Sequence, residues 1–170
     1  MKKAIVLYLY FFVNALYGQN NFKANSYLVD GKIIPLYFNE SETKIKKSLD
    51  NSNTDYYYET RIIEKKNNRF FVELNYIKDN KKYLGWVELK HVGVGLRNNV
   101  NFNVIPIYEY SSYKSKKLNV DIHIESVIAK VTEIDKQWLK IYFYKNKKKV
   151  TGWLSPKNQC YNLYNMCTAE

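Results

Sequence analysis

The sequence predicts an all-β chain, and three observations carry that expectation. Val72, Leu74 and Tyr76 fall on one side of an alternating run, as do Leu139, Ile141 and Phe143. Glu73 and Asn75, and likewise Lys140 and Tyr142, take the opposite side, which is the period of a half-buried strand. Each run is followed by a polar tip, Lys78-Asp79-Asn80-Lys81 or Lys145-Asn146-Lys147-Lys148. The chain then returns through Tyr83-Leu84-Gly85-Trp86-Val87 or Val150-Thr151-Gly152-Trp153-Leu154, so each unit reads as a β-hairpin with a basic tip. Helical spacing is weak throughout. The segment Glu40 to Leu49, free of Pro and Gly, is expected to be loop with room for a short helix.

Taken in order, residues 1–18 read as a secretory signal peptide. Lys2 and Lys3 precede an uncharged apolar run from Ala4 to Val13, and Ala15-Leu16-Tyr17-Gly18 offers small residues before Gln19. An apolar run of about ten residues is too short to cross a bilayer core of roughly 30 Å. No membrane-spanning segment is expected in the mature chain. The expected location is outside the cytoplasm, periplasmic or secreted.

The remainder contains an internal repeat. Ile34-Pro35-Leu36-Tyr37 returns as Ile105-Pro106-Ile107-Tyr108, displaced by 71. Gly85-Trp86-Val87 returns as Gly152-Trp153-Leu154, displaced by 67, and Phe71-Val72-Glu73-Leu74 aligns with Trp138-Leu139-Lys140-Ile141 at the same 67. This alignment makes the second copy four residues shorter between the Ile-Pro motif and the third match. Three ordered matches imply two copies of one small domain, 24–92 and 104–160. Residues 93–103, where Gly93, Gly95 and an Asn-rich stretch loosen the chain, are expected to be a linker. Residues 161–170 form a tail.

The run Gln137-Trp138-Leu139-Lys140-Ile141, a polar tip, then Thr151-Gly152-Trp153-Leu154 resembles bacterial SH3-like (SH3b) domains. Phe71 to Leu74 with Gly85-Trp86-Val87 repeats that ending less faithfully. The resemblance implies two tandem small SH3-like β-barrels and recognition of cell-wall peptide or glycan, or of a protein partner. Such domains often carry an early Asn-x-Arg-x-Gly-Pro stretch; here the Ile-Pro segments occupy that region, so the ligand preferences of that stretch are not carried over.

Gly beside Trp suits a strand that bends or approaches another backbone closely, and the Trp covers apolar surface. Gly85, Trp86, Gly152 and Trp153 are therefore expected to be structural. Phe71 and Trp138 lie opposite the core set of their strands. With Tyr37, Tyr108, Tyr110 and Tyr113 they are the candidates for an aromatic ligand groove, the alternative being surface coverage by amphipathic rings.

The 170 residues are 46% apolar and 25% charged, which excludes a disordered polymer. Lys and Arg total 27 against 16 acids; cleavage after residue 18 would leave 25 against 16. Lys44–Lys47, Lys81-Lys82, Lys114–Lys117 and Lys147–Lys149 sit where loops are expected, and read either as solvated charge or as a binding patch. Lys, Asn, Tyr and Ile all have A/T-rich codons, so composition alone is a further source of the lysines. An exported chain seldom meets nucleic acid, so none is expected as partner.

With two His and two Cys, no cofactor, metal site or catalytic centre is expected. Cys160 and Cys167 lie in the tail without a flanking nucleophile motif, far in sequence from His91 and His123. Glu40/Glu42 and Glu109/Asp121 have no motif context. An even cysteine count in an exported chain instead favours a Cys160–Cys167 disulfide closing the tail. The expectation is a monomeric, exported, non-catalytic binding module for a cell-wall polymer or an exported protein. The alternatives are an assembly factor for another exported protein and, behind it, a secreted enzyme or toxin.

Overall fold

The computed structural model describes residues 23–52, 58–96, 104–121 and 128–160. The expected leader 1–18, residues 97–103 of the expected linker, His123, and the tail 161–170 with Cys167 lie outside the described residues.

The chain is all-β. Among the described residues are thirteen strands. In the first half they are β1 (Ala24–Leu28), β2 (Ile33–Tyr37), β3 (Ile45–Asp50), β4 (Tyr58–Lys66), β5 (Arg69–Tyr76) and β6 (Lys81–Glu88). Then follow β7 (Val92–Leu96), β8 (Val104–Tyr108), β9 (Lys117–Asp121), β10 (Ile128–Asp135), β11 (Trp138–Lys145), β12 (Lys148–Leu154) and β13 (Gln159–Cys160). Short 3-10 turns, Leu89–His91 and Pro156–Asn158, precede β7 and β13.

The strands run in one antiparallel path, β3-β2-β6-β5-β4-β1-β7-β10-β11-β12-β8-β9, with β13 against β7. The order reads the same from either end once β1 is matched to β7. In both halves the third long strand has a β-bulge at the same place, between Ile62 and Glu64 and between Val131 and Glu133. Because β1 and β7 pair antiparallel with each other, the two halves are related by an approximate two-fold axis through that pair.

Strand β7 serves both halves. Its Val92 and Gly93 pair with Leu28 and Tyr27 of β1, while Gly95 and Leu96 pair with Cys160 and Gln159 of β13. Its other edge pairs with β10. Residues 93–96, expected to open a linker, are thus strand. Val92 and Val94 are fully buried, and their burial holds a Gly-containing segment extended. The path is open, with β3 and β9 at its ends, and β7 joins the halves into one sheet.

The register corrects the repeat alignment. Phe71 opposes Trp86 and Val72 opposes Gly85; Lys140 opposes Trp153 and Ile141 opposes Gly152. Val72 therefore matches Ile141, a shift of 69, and Arg69 matches Trp138. Two of the four missing residues are lost before β11. The other two are lost at the hairpin tip, 77–80 in the first half against 146–147 in the second.

Residues 45–50 are strand, correcting the loop-or-helix expectation there. Only Leu49 of β3 is buried, so no apolar alternation marks the strand in the sequence. The core is one cluster that includes Ile34, Leu36, Phe70, Leu74, Ile105 and Ile141, each at most 1% exposed. Burying such a side chain stabilises by roughly 1.5–3 kcal/mol. Among the described residues no helix is long and apolar enough to cross a membrane.

Candidate functional site

The two repeated motifs meet in space. A Cβ on Gly85 would lie 2.7 Å from Leu36 Cγ and 2.9 Å from the Tyr37 carbonyl oxygen. One on Gly152 would lie 2.5 Å from Ile107 Cγ2 and 2.8 Å from the Tyr108 carbonyl oxygen. Each Ile-Pro-x-Tyr strand therefore crosses its Gly-Trp strand at a separation only glycine permits. Beside these crossings Tyr37 pairs with Trp86, and Tyr108 with Trp153.

In the second half Tyr108 becomes part of an aromatic cluster. Trp138, the first residue of β11, meets the Tyr108 ring at 5.2 Å and 89°. Tyr113 meets Trp138 at 4.7 Å and Tyr108 at 5.9 Å, both edge-on, the geometry that aromatic quadrupoles favour. Tyr113 sits in the β8–β9 loop, which is cinched at both ends. Glu109 N–H donates to Lys116 O at 2.9 Å, and Ser115 Oγ donates to Tyr110 O at 3.1 Å. Ser111 Oγ also bonds Asp135 beside Trp138. Tyr108 and Trp138 are buried, Tyr113 is 54% exposed, and Lys157 Nζ stands 5.7 Å from the Tyr113 ring centre. Burial, with Tyr113 adding to it, raises the Tyr108 phenol above its ordinary 10.0.

The first half fills the same position differently. Arg69, the counterpart of Trp138, lays its guanidinium 3.6 Å from the Tyr37 ring centre. Its Nη1 donates to Asn39 O at 3.0 Å and Glu42 O at 2.7 Å, so the arginine ties the β2–β3 loop over the ring. Tyr37 Oη donates to Glu88 Oε1 at 3.0 Å; burial first and this carboxylate second raise its pKa.

The six candidate aromatics therefore do not form one groove. Tyr108, Tyr113 and Trp138 come together. Tyr37 is covered by Arg69, Phe71 packs on Trp86 at 5.1 Å, and Tyr110 stands 65% exposed outside the cluster. Trp86 is buried and Trp153 half-buried. Sequence reasoning missed Arg69, because aligning Phe71 with Trp138 hid the true counterpart.

It also missed the structural role of His91. This buried ring directs Nδ1 at Asp30 O, 2.9 Å, and Val29 O, 3.3 Å, so Nδ1 carries the hydrogen. His91 O in turn accepts from Val29 N–H at 2.9 Å. Cys160 is buried in β13, and no described cysteine is a free thiol. Among the described residues no group of three or more His, Cys, Asp or Glu side chains is arranged to hold a metal ion.

No protein-family model matches the chain, and no curated protein matches it.

Proposed function

We propose that the chain is an exported, non-catalytic binding module whose ligand site is the Tyr108–Tyr113–Trp138 cluster. The observation that carries this reading is the asymmetry between equivalent positions. Arg69 covers Tyr37 in the first half, whereas the second half presents three mutually braced rings with Tyr113 half in solvent. An exposed ring braced by two buried ones is held at small entropic cost, which suits contact with a sugar ring or a peptide side chain.

On this reading the halves are two SH3-like units sharing β7, supported by the Gly-Trp endings and the repeated strand order. Residues 1–18 direct export, and the partner is cell-wall peptide or glycan, or an envelope protein. Cys160 and Cys167 form a disulfide that pins the tail beside β7; the burial of Cys160 and its lack of a free thiol support that pairing.

Co-sedimentation with purified peptidoglycan tests the site. Wild-type protein pellets with the wall, and Tyr113→Ala, an exposed position that leaves the core intact, stays in the supernatant. Equal retention of both proteins removes the cluster as the site.

A second reading rests on the open ends of the sheet. β3 and β9 each leave one edge without a strand partner among the described residues, as an assembly factor pairing with an extended segment would need. Stoichiometric recovery of an exported protein without wall binding would favour it.

A further inference from the structure

The outward face of β11 and β12 is a ladder of alternating aromatic and lysine side chains. Cross-strand pairing puts Lys140 beside Trp153, Tyr142 beside Thr151, and Tyr144 beside Lys149 on that face. Ile141, Phe143 and Leu154 point into the core. Lys149 Nζ lies 4.3 Å from the Tyr142 ring centre and Lys140 Nζ 5.9 Å from that of Trp153. The Tyr142 and Tyr144 rings meet edge-on at 6.4 Å, and Tyr144 is 66% exposed.

The ladder ends at Lys145-Asn146-Lys147-Lys148-Lys149. From Trp138 to Leu154 there are five lysines and no acid. Lys140 pairs with Glu133, but among the described residues Lys147, Lys148 and Lys149 have no carboxylate in ion-pair range. The turn itself is costly. Asn146 and Lys147 take φ of 48° and 62°, where the second position of such a two-residue turn favours glycine.

The fold does not require this chemistry. At the equivalent places the first half has Phe71, Glu73 and Asn75 on β5 and Lys82, Leu84 and Trp86 on β6. Glu73 there is paired with Lys23, and at the tip Asp79 pairs with Lys81 at 2.6 Å, so one of its lysines is matched by a carboxylate. The second half has Tyr142 where the first has Glu73, and its shorter tip keeps the lysines but has no counterpart of the Asp79 carboxylate.

We propose that this face binds an anionic glycan, its carboxylate or phosphate groups meeting Lys147–Lys149 and its sugar rings lying along Tyr144 and Tyr142. Lysine is a compact point charge suited to such groups. Tyr142 and Tyr144 bring their hydroxyls to the same strip and match a hydroxylated ligand, while Thr151 Oγ1 donates to Ile141 O at 3.1 Å and has only acceptor capacity left. The two tyrosine rings stand at 89° and one is capped by an ammonium group, so they form no stacked platform for successive bases. The face continues from the Tyr108–Tyr113–Trp138 cluster, but the proposal rests on different residues.

The test is binding of the full exported chain to polygalacturonate at two salt concentrations, with dextran, single-stranded DNA and anionic lipid vesicles as further probes. Wild-type protein binds polygalacturonate and not dextran, and loses affinity as salt rises. K147Q/K148Q/K149Q, at exposed positions and with an unchanged circular dichroism spectrum, weakens binding at least tenfold and flattens the salt dependence. Tyr144→Ala weakens it about threefold with the salt dependence kept. Tyr113→Ala leaves polygalacturonate binding intact whatever it does to wall retention, which separates this proposal from the cluster. Equal affinity of wild type and the triple variant overturns the proposal. So does tighter binding of DNA or vesicles than of polygalacturonate.

Discussion

The side-chain oxygen of Gln159 accepts a hydrogen bond from the backbone N–H of Asn25 at 3.0 Å, joining the last described strand to the first. The amide nitrogen of the same side chain donates to Gln137 O at 2.5 Å and to Leu154 O at 3.5 Å. Gln159 is 4% exposed, and removing it takes a partner from the half-buried Asn25 N–H in the first half and from the buried Leu154 carbonyl in the second. Leaving a buried donor or acceptor unpaired costs about 1–3 kcal/mol. Gln159→Ala is expected to lower stability by about 2 kcal/mol or more in urea titration, in one transition whether followed by fluorescence or by circular dichroism.

The crossing of the repeated motifs makes a graded prediction at three glycines. Gly85→Ala and Gly152→Ala drive a methyl group to within 3 Å of a neighbouring strand, backbone oxygen included. Overpacking of this kind typically costs 1–3 kcal/mol. Gly31, whose added Cβ would approach nothing closer than 3.4 Å, is the control, and Gly31→Ala is expected to be near neutral. The urea midpoints of the three variants check the order.

Acid should weaken the fold through two carboxylates. The Lys23 hydrogen bond holds Glu73 below its ordinary 4.5, and Lys90 first, then Tyr37, do the same for Glu88. A depressed folded-state pKa means that the stabilisation is present above the unfolded value and is lost as pH falls through the folded one. Stability should therefore decline below about pH 4.5. The double variant Glu73→Gln/Glu88→Gln should show a shallower decline than wild type in thermal melts from pH 6 to 2.

The alkaline limb has its own reporter. Tyr58 is buried, stacked on Tyr76 at 4.7 Å and tilted against Tyr83 at 6.3 Å. Burial first, then these neighbours, push its phenol up to about 12. A raised tyrosine contributes stability below its unfolded pKa of about 10, and that contribution is lost as pH rises through the folded value. Ultraviolet titration should show one phenolate appearing late, near pH 12, and Tyr58→Phe should remove it.

The architecture was legible in residues whose spacing survives burial. Leu139 and Ile141 alternate with outward residues, and Gly-Trp and Ile-Pro mark strands that cross. Matching Phe71 to Trp138 is a slip of two residues, which preserves the faces of a strand; the alternating pattern therefore marks the core residues and leaves Arg69, the true counterpart of Trp138, unmarked. β7 was hidden by Gly93 and Gly95, read as loosening the chain, and β3 by five exposed residues in six. The aromatic cluster was legible only as a list of rings. That Arg69 covers Tyr37 while Tyr113 braces Trp138 depends on loops whose paths no local pattern encodes.

The central claim is that the ligand site lies in the second half, where Tyr113 exposes one ring of a braced aromatic cluster. It is tested most directly by binding isotherms of soluble peptidoglycan fragments against wild type, Arg69→Ala and Tyr113→Ala. Tyr113→Ala should weaken binding about tenfold, near 1.4 kcal/mol, while Arg69→Ala, which removes the cover on Tyr37 and its ties to the β2–β3 loop in the other half, should not weaken it. Unchanged affinity in Tyr113→Ala, or a loss in Arg69→Ala instead, would contradict the account.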